Sequence, residues 1–273
     1  MLRVLLKATL LPTRGGKCFF STSLARKALK NSEGQKVPSV IWPIRVGSKW
    51  EKLSSDELFD QKTVAVLALP GAFTQTCSSN HLPRYNELEG LFKKHGVDKI
   101  VCISVNDSFV MNEWARSQKI DKVTLVPDGN GEFTEKMGML VNKDSLGFGK
   151  RSWRYSMLVK NRVIEKMWIE REVEGDPYEV SDAETMLKYL DPSREIPKAI
   201  TIFTKRGCQF CQEAKRLLDS KNLHYEELVI GEDLTPTGLR GVSGKTTVPQ
   251  IFYGGKHVGG QEELKKFLKN ICF

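Results

Sequence analysis

The sequence predicts an α/β protein of two successive domains, each a central sheet flanked by helices. Three observations carry this. Apolar, β-branched runs alternate with helix-spaced segments through residues 62–190. The same order restarts on a smaller scale after residue 197. Between them Asp191-Pro192-Ser193-Arg194-Glu195-Ile196-Pro197 has two prolines, charges and no periodicity, as a linker should. A chain of 273 residues suits two domains, at about 150 residues each.

Lys62–Leu69 (KTVAVLAL) is a continuous apolar run ending at Pro70-Gly71, and predicts a strand buried on both faces. Residues 76–95 then carry Leu82, Tyr85, Leu88, Leu91 and Phe92 at helical spacing, stopped by Gly96. Lys99–Val105 repeats the buried-strand pattern. A helix around Val110–Gln118, a strand at Val123–Val126 and a short helix near Phe133–Met139 follow. Trp153–Val159 and Val163–Glu170, joined by Lys160-Asn161-Arg162, predict an antiparallel hairpin. Ala183–Leu190 closes the first domain with a helix.

Beyond the linker, Ala199–Phe203 reads as a strand, Gln209–Lys221 as a helix and Tyr225–Ile230 as a second strand. A short helix around Leu234–Gly241 precedes a hairpin of Pro249–Tyr253 and His257–Val258, turned by Gly254-Gly255. Gln261–Leu268 is the last helix. Alternation of this kind indicates α/β layers.

The net charge of +9 is concentrated at one end. Residues 1–32 hold seven basic residues (Arg3, Lys7, Arg14, Lys17, Arg26, Lys27, Lys30) and no acid, which leaves 35 basic against 33 acidic residues elsewhere. A nearly neutral body gives nucleic-acid binding no electrostatic support. The leader, basic, hydroxyl-rich and acid-free, has the composition of a mitochondrial transit peptide and predicts a matrix location, with the cytoplasm as the alternative. A secretory signal fits less well, because Lys7 and Pro12 interrupt its apolar core. No later segment reaches the ~18 uninterrupted apolar residues of a membrane helix, so a soluble mature protein is expected. The cysteines fall at 18, 77, 102, 208, 211 and 272, too sparse and uneven for a secreted disulfide framework.

Two of these positions suggest chemistry. Pro70-Gly71-Ala72-Phe73-Thr74-Gln75-Thr76-Cys77 sets a lone cysteine behind a turn-rich run, at the start of a predicted helix. A free thiol, with a pKa of about 8.5, is mostly protonated at neutral pH, so a useful nucleophile needs its anion stabilised. Helix-start N–H groups favour the anion, Thr74 offers a hydroxyl one turn upstream, and an arginine from elsewhere in the fold could supply full positive charge.

The pattern Pro70-x-x-x-Thr74-x-x-Cys77 resembles the active-site signature of peroxiredoxins. The flanking PGAFTQTCSSNHLP, with Ser104-Val105-Asn106-Asp107 and Arg154-Tyr155-Ser156-Met157, is similar to the type-five subgroup. The resemblance covers roughly residues 36–190. It implies that Cys77 attacks the peroxide O–O bond, Thr74 holds peroxide and thiolate through its hydroxyl, and Pro70 shields the pocket. Arg154 would stabilise the thiolate and the charge on the leaving oxygen, with Arg151 a competing candidate. No metal or haem is required. Cys102, between Val101 and Ile103 in an apolar strand, reads instead as a small buried hydrophobe. Many members of the subgroup carry a resolving cysteine late in the domain. Residues 103–207 hold none, so a sulfenic acid on Cys77 would be resolved by an outside thiol.

Cys208-Gln209-Phe210-Cys211 follows a predicted strand and opens a predicted helix, a thioredoxin-like redox arrangement. The alternative is half a zinc site, for which only His224, His257 and Cys272 are loosely available. Residues 197–273 resemble a glutaredoxin through Thr204–Cys211, Thr247-Val248-Pro249-Gln250 and Gly259-Gly260-Gln261-Glu262-Glu263. The resemblance implies a cis-Pro249 that positions the Val248 backbone to pair with glutathione, and Lys205 meeting a glutathione carboxylate. It also implies a Gly259-Gly260 turn whose N–H groups meet the other carboxylate, with Phe210, Thr247, Gln261 and Glu262 around the same site. Gln209 stands where the family usually has proline, and Glu262-Glu263 where it usually has aspartates.

Together the resemblances imply two thioredoxin-like domains in tandem: a leader over 1–32, a peroxiredoxin-like domain over 36–190, a linker over 191–197 and a glutaredoxin-like domain over 198–273. The whole is similar to hybrid peroxiredoxin–glutaredoxin proteins. The expected activity is reduction of hydrogen peroxide and small organic hydroperoxides, with glutathione as co-substrate and no tightly bound cofactor. A dimer through the first domain is implied; nucleic-acid and membrane partners are not. A peroxide sensor passing oxidation to partner proteins, and a glutaredoxin-type iron–sulfur carrier, are the competing functions.

Overall fold

A computed structural model describes residues 29–270, apart from 174 and 222. Most of the predicted leader, with Cys18, lies outside the described residues, as does Cys272. Leu29 already packs on the first domain's core.

The chain enters through a hairpin, β1 (Ile41–Val46) and β2 (Lys49–Ser54), and a short helix α1 (Ser55–Phe59). Ser54 caps α1 in a capping box with Glu57. Next come β3 (Thr63–Ala68), a π-helical turn at Cys77–His81, and helices α2 (Leu82–Glu87) and α3 (Glu89–Lys94). The single helix expected over 76–95 is therefore broken. A widened turn carries the cysteine, and Leu88 (φ −92°, ψ 5°) interrupts the rest. β4 (Lys99–Ser104), α4 (Ser108–Ser117), β5 (Val123–Pro127) and α5 (Glu132–Lys136) follow. A small hairpin, β6 (Leu140–Asn142) and β7 (Lys150–Ser152), leads to β8 (Tyr155–Lys160), β9 (Val163–Ile169) and α6 (Ala183–Leu190).

The main sheet has the order β5-β4-β3-β8-β9. β3, β4 and β5 run parallel, β8 runs antiparallel to them, and β9, antiparallel to β8, returns to their direction. Residues 64–69 are completely buried, as the apolar run predicted. Val64, Val66 and Ala68 face a core with Trp42, Phe59 and Phe133. Ala65, Leu67 and Leu69 face another with Tyr85, Phe92, Trp114 and Met186. Two-sided burial is what a mixed central strand covered by helices requires.

The second domain is smaller: β10 (Ile200–Thr204), α7 (Gln209–Ser220), β11 (Glu226–Val229), α8 (Pro236–Ser243), β12 (Gln250–Tyr253), β13 (Lys256–Gly259) and α9 (Gln261–Asn270). Its sheet order is β11-β10-β12-β13, with only β10–β11 parallel. Ile202, Ile251, Leu218 and Leu264 form its core. Gly254 and Gly255, at φ 55° and 76°, make the β12–β13 turn in backbone space that other residues rarely enter. Among the described residues, no helix is long and apolar enough to cross a membrane.

Candidate active site

Topology brings the first site together. β3 and β8 are antiparallel with Ala68 opposite Tyr155, so the chain leaving β3 and the residue entering β8 meet at one sheet end. Pro70, itself buried, starts the turn to Cys77. Asn106, just after β4, holds that turn: its Oδ1 accepts from Ala72 N–H (3.0 Å) and the Ser104 hydroxyl (2.8 Å). Phe73 sits at φ 62° and is exposed, a backbone conformation costly for an aromatic residue. Thr74 is half-buried, and its hydroxyl proton, expected to serve peroxide and thiolate, is donated to the Gly71 carbonyl (2.9 Å).

Cys77 is fully buried. Arg154, 1% exposed, reaches it: Nη2 lies 3.5 Å from Sγ. The same nitrogen donates to Asp176 Oδ1 at 2.5 Å, and Nη1 donates to His81 Nδ1 at 3.0 Å. Burial works against the Arg154 charge, but Cys77 and Asp176 beside it outweigh this and raise its pKa above the ordinary value. Of the two candidate arginines, Arg154 is the one within hydrogen-bond distance of Cys77. Arg151 Nε and Nη1 donate to the Phe148 and Val105 carbonyls, tying loops together. Cys102 is buried, and burial pushes its thiol well above the usual range.

His81 escaped the sequence reading. A guanidinium only donates, so His81 Nδ1 accepts and its proton sits on Nε2, which donates to the Ser181 carbonyl at 3.0 Å. Burial, then the neighbouring Arg154 charge, lowers its pKa to about 3, so the ring is neutral. Its position four residues after Cys77 was the available signal. Behind it, Glu170 Oε1 accepts the N–H groups of Glu179, Val180 and Ser181 (each 2.9 Å) and the Ser181 hydroxyl (2.7 Å). Burial disfavours the Glu170 charge, but these donors overcome it and hold its pKa below the ordinary value. A buried carboxylate thus pins the loop that pins His81, which in turn holds Arg154 beside the sulfur.

The second site lies at the end of β10. Cys208 caps α7, its sulfur accepting from Cys211 N–H (3.2 Å), and is joined to Cys211 as a disulfide with Cα atoms 5.3 Å apart. Cys208 Sγ also lies 3.9 Å from the Val248 carbonyl, beside the cis Val248–Pro249 bond. Lys205, Phe210 and Thr247 are exposed around it. Three expectations change here. The Gly260 N–H, expected to meet a ligand carboxylate, donates to Glu263 (2.9 Å) because that side chain folds back over the turn. Gln261 is buried and donates to Glu213 on α7 (2.7 Å), so it ties two helices together. Glu262 pairs with Lys265 at 2.8 Å on the helix surface. Gly259, at φ 127°, adjoins the same Glu263 side chain. As for zinc, His257 Nε2 is engaged with Gln250 Oε1 at 2.7 Å.

A sheet-end cysteine held by a buried arginine, followed by a CxxC disulfide beside a cis-proline, defines a two-domain thiol oxidoreductase of the thioredoxin-like class. The Redoxin family model matches residues 32–187 and the Glutaredoxin model residues 200–258. The hybrid peroxiredoxin hyPrx5 of Haemophilus influenzae is 59% identical over 239 residues, 88% of this chain and 99% of that protein. A peroxiredoxin of Synechocystis is 54% identical over 57% of this chain and 89% of its own. Among solved structures, reduced Prx3 of Vibrio vulnificus in complex with H2O2 has 36% identity and a TM-score of 0.56, covering 59% of this chain and all of that one. The chain belongs to the peroxiredoxins, as a hybrid with a C-terminal glutaredoxin domain, and is a peroxidase.

Proposed function

We propose that the protein reduces hydrogen peroxide and small organic hydroperoxides with electrons from glutathione, using both cysteine sites in sequence. The observation that carries this is the Arg154 Nη2–Cys77 Sγ approach at 3.5 Å, in a chain that also holds the Cys208–Cys211 pair. The Vibrio relative solved with H2O2 supports the substrate.

In this reading the Cys77 thiolate forms a bond to one peroxide oxygen and the O–O bond breaks. The sulfur is oxidised to sulfenic acid, and the departing oxygen takes its electron pair and a proton, leaving as water or alcohol. Arg154 stabilises both the thiolate and the leaving oxygen. Thr74 and Pro70 shape the pocket, and the burial of Cys77 favours small substrates. A glutathione thiol then condenses with the sulfenic acid, releasing water and leaving a mixed disulfide. Cys208 attacks the glutathione sulfur of that disulfide and restores the Cys77 thiol. A second glutathione removes the first from Cys208 as oxidised glutathione. Lys205, Phe210, Thr247 and Val248 surround the exposed side of Cys208, where the glutathione would lie. Tethering keeps the second site at an effective concentration on the order of mM, provided the linker spans the gap.

The leader's composition supports mitochondrial import, and the exposed aromatic residues Trp50, Phe73 and Phe109 support self-association of the first domain. Peroxide-dependent NADPH oxidation, coupled through glutathione and glutathione reductase, tests the whole reading. Cys77→Ser is expected to abolish it, and full activity in that variant would overturn the assignment.

A further inference from the structure

The Arg154 guanidinium serves two anions with one nitrogen. Nη2 lies 3.5 Å from Cys77 Sγ and 2.5 Å from Asp176 Oδ1. Exposure rises along this line: Cys77 is fully buried, Arg154 is 1% exposed, and the Asp176 side chain is 40% exposed. Asp176 is therefore the charge of this group that faces solvent.

With the thiolate formed, one cation stands between two anions, and the group carries a net charge of −1. The described residues of the surrounding loop do not restore the balance, and from outside it Lys143 engages the Gly175 carbonyl at 3.5 Å and the face of Trp153. Arg171 is paired with Glu179, and Glu172 is turned to the Leu29 N–H. Tyr178, packed beside the guanidinium at 5.7 Å, adds bulk and no charge. Glu170 holds the C-terminal end of the same loop by four hydrogen bonds, and Arg154 holds the Asp176 carboxylate.

We propose that Asp176 sets the charge selectivity of the peroxide site, admitting uncharged hydroperoxides and holding back those that carry a carboxylate. This rests on the reading of the Cys77–Arg154 pocket as the hydroperoxide site. An uncharged peroxide meets the pocket with no electrostatic penalty. A carboxylate-bearing one approaches a fixed negative charge before it reaches Arg154. At separations of about 8 Å and an effective dielectric between surface and bulk values, the repulsion corresponds to roughly 3–10-fold in rate.

The test compares cumene hydroperoxide with its para-carboxylate, which differ in charge and little in shape around the O–O bond. Oxidation of Cys77 in one turnover is followed for the full chain, Asp176→Asn and Asp176→Lys. The amide in Asp176→Asn keeps an acceptor for Arg154 and removes only the charge. The charged-to-uncharged rate ratio is expected to rise about 3–10-fold in Asp176→Asn and further in Asp176→Lys. In the unsubstituted protein the ratio should also climb with ionic strength, because salt screens the repulsion. A loop-holding role alone would slow both substrates together. Ratios unchanged by either substitution would overturn the inference. Failure of the unsubstituted protein to react with the uncharged hydroperoxide would overturn both it and the hydroperoxide reading.

Discussion

Arg154 Nη1 donates to His81 Nδ1 at 3.0 Å, and this bond fixes which way the guanidinium presents its other nitrogen to Cys77. A lysine at 154 could carry the charge but not span His81, Cys77 and Asp176 at once, since it lacks the planar fork. Arg154→Lys is therefore expected to slow single-turnover oxidation of Cys77 by about 10²–10³-fold, the usual cost of losing one preorganised donor at a developing charge. Stopped-flow tryptophan fluorescence would follow it, with Trp114 reporting through its bond to Ser78. A loss below tenfold would assign the charge stabilisation to another group.

His81 makes the first domain sensitive to acid in a defined window. Its pKa is lowered from 6.5 to about 3 by burial and by Arg154, so below pH 6.5 the unfolded chain takes up a proton the folded one refuses. This contribution is fully present above pH 6.5 and is lost as the pH falls towards 3. The expected slope approaches about 1.4 kcal/mol per pH unit within that range. Denaturant unfolding at several pH values measures it. His81→Gln, which can still accept from Arg154 and donate to Ser181, should flatten this part of the profile.

The strands at residues 62–69 and 99–105 were legible because burial on both faces leaves an unbroken apolar run, and the CxxC spacing placed the second site at a helix start. The β1–β2 hairpin went unread because Pro43 lies within it and most of its side chains are exposed, so no alternation marks it. Cys77, Thr74 and Pro70 share one short segment and could be read as a group. Their supports could not: Arg154 is 77 residues from Cys77, and Ser181 is 100 from His81. Such contacts are made by sheet register and loop closure, which local spacing does not encode. At the second site, Gln261 and Glu263 belonged to a ligand-binding motif in the sequence, and the fold uses both for its own bonds.

Glu170 is the least conspicuous member of the first site and the one whose loss should spread farthest. Its carboxylate collects three N–H groups and one hydroxyl, and its pKa is held below the ordinary value of 4.5. Glu170→Gln keeps one oxygen but removes the charge, and is expected to destabilise the domain by about 1–3 kcal/mol. The depressed pKa means this stability is present above the unfolded value and lost as the pH falls through the folded one. Loosening the 171–181 loop should also slow Cys77 oxidation, through His81. A variant as stable as the parent at neutral pH would show that the loop is held by other contacts.

The two cysteines of the second site should separate cleanly in turnover. Cys208 caps α7 and is partly exposed, whereas Cys211 is 2% exposed behind it. Only Cys208 can meet a glutathionyl sulfur carried by another site. Cys208→Ser should leave the first oxidation of Cys77 intact while slowing steady-state peroxide consumption with glutathione at least tenfold, because the mixed disulfide on buried Cys77 then waits for free glutathione. Cys211→Ser should reduce turnover by less than about threefold, since exchange through a single thiol completes the cycle. It should also accumulate a Cys208–glutathione adduct, visible by mass spectrometry of the quenched protein. Full glutathione-driven turnover in Cys208→Ser would mean that the first domain is reduced without its neighbour, and that the tandem arrangement serves some other substrate.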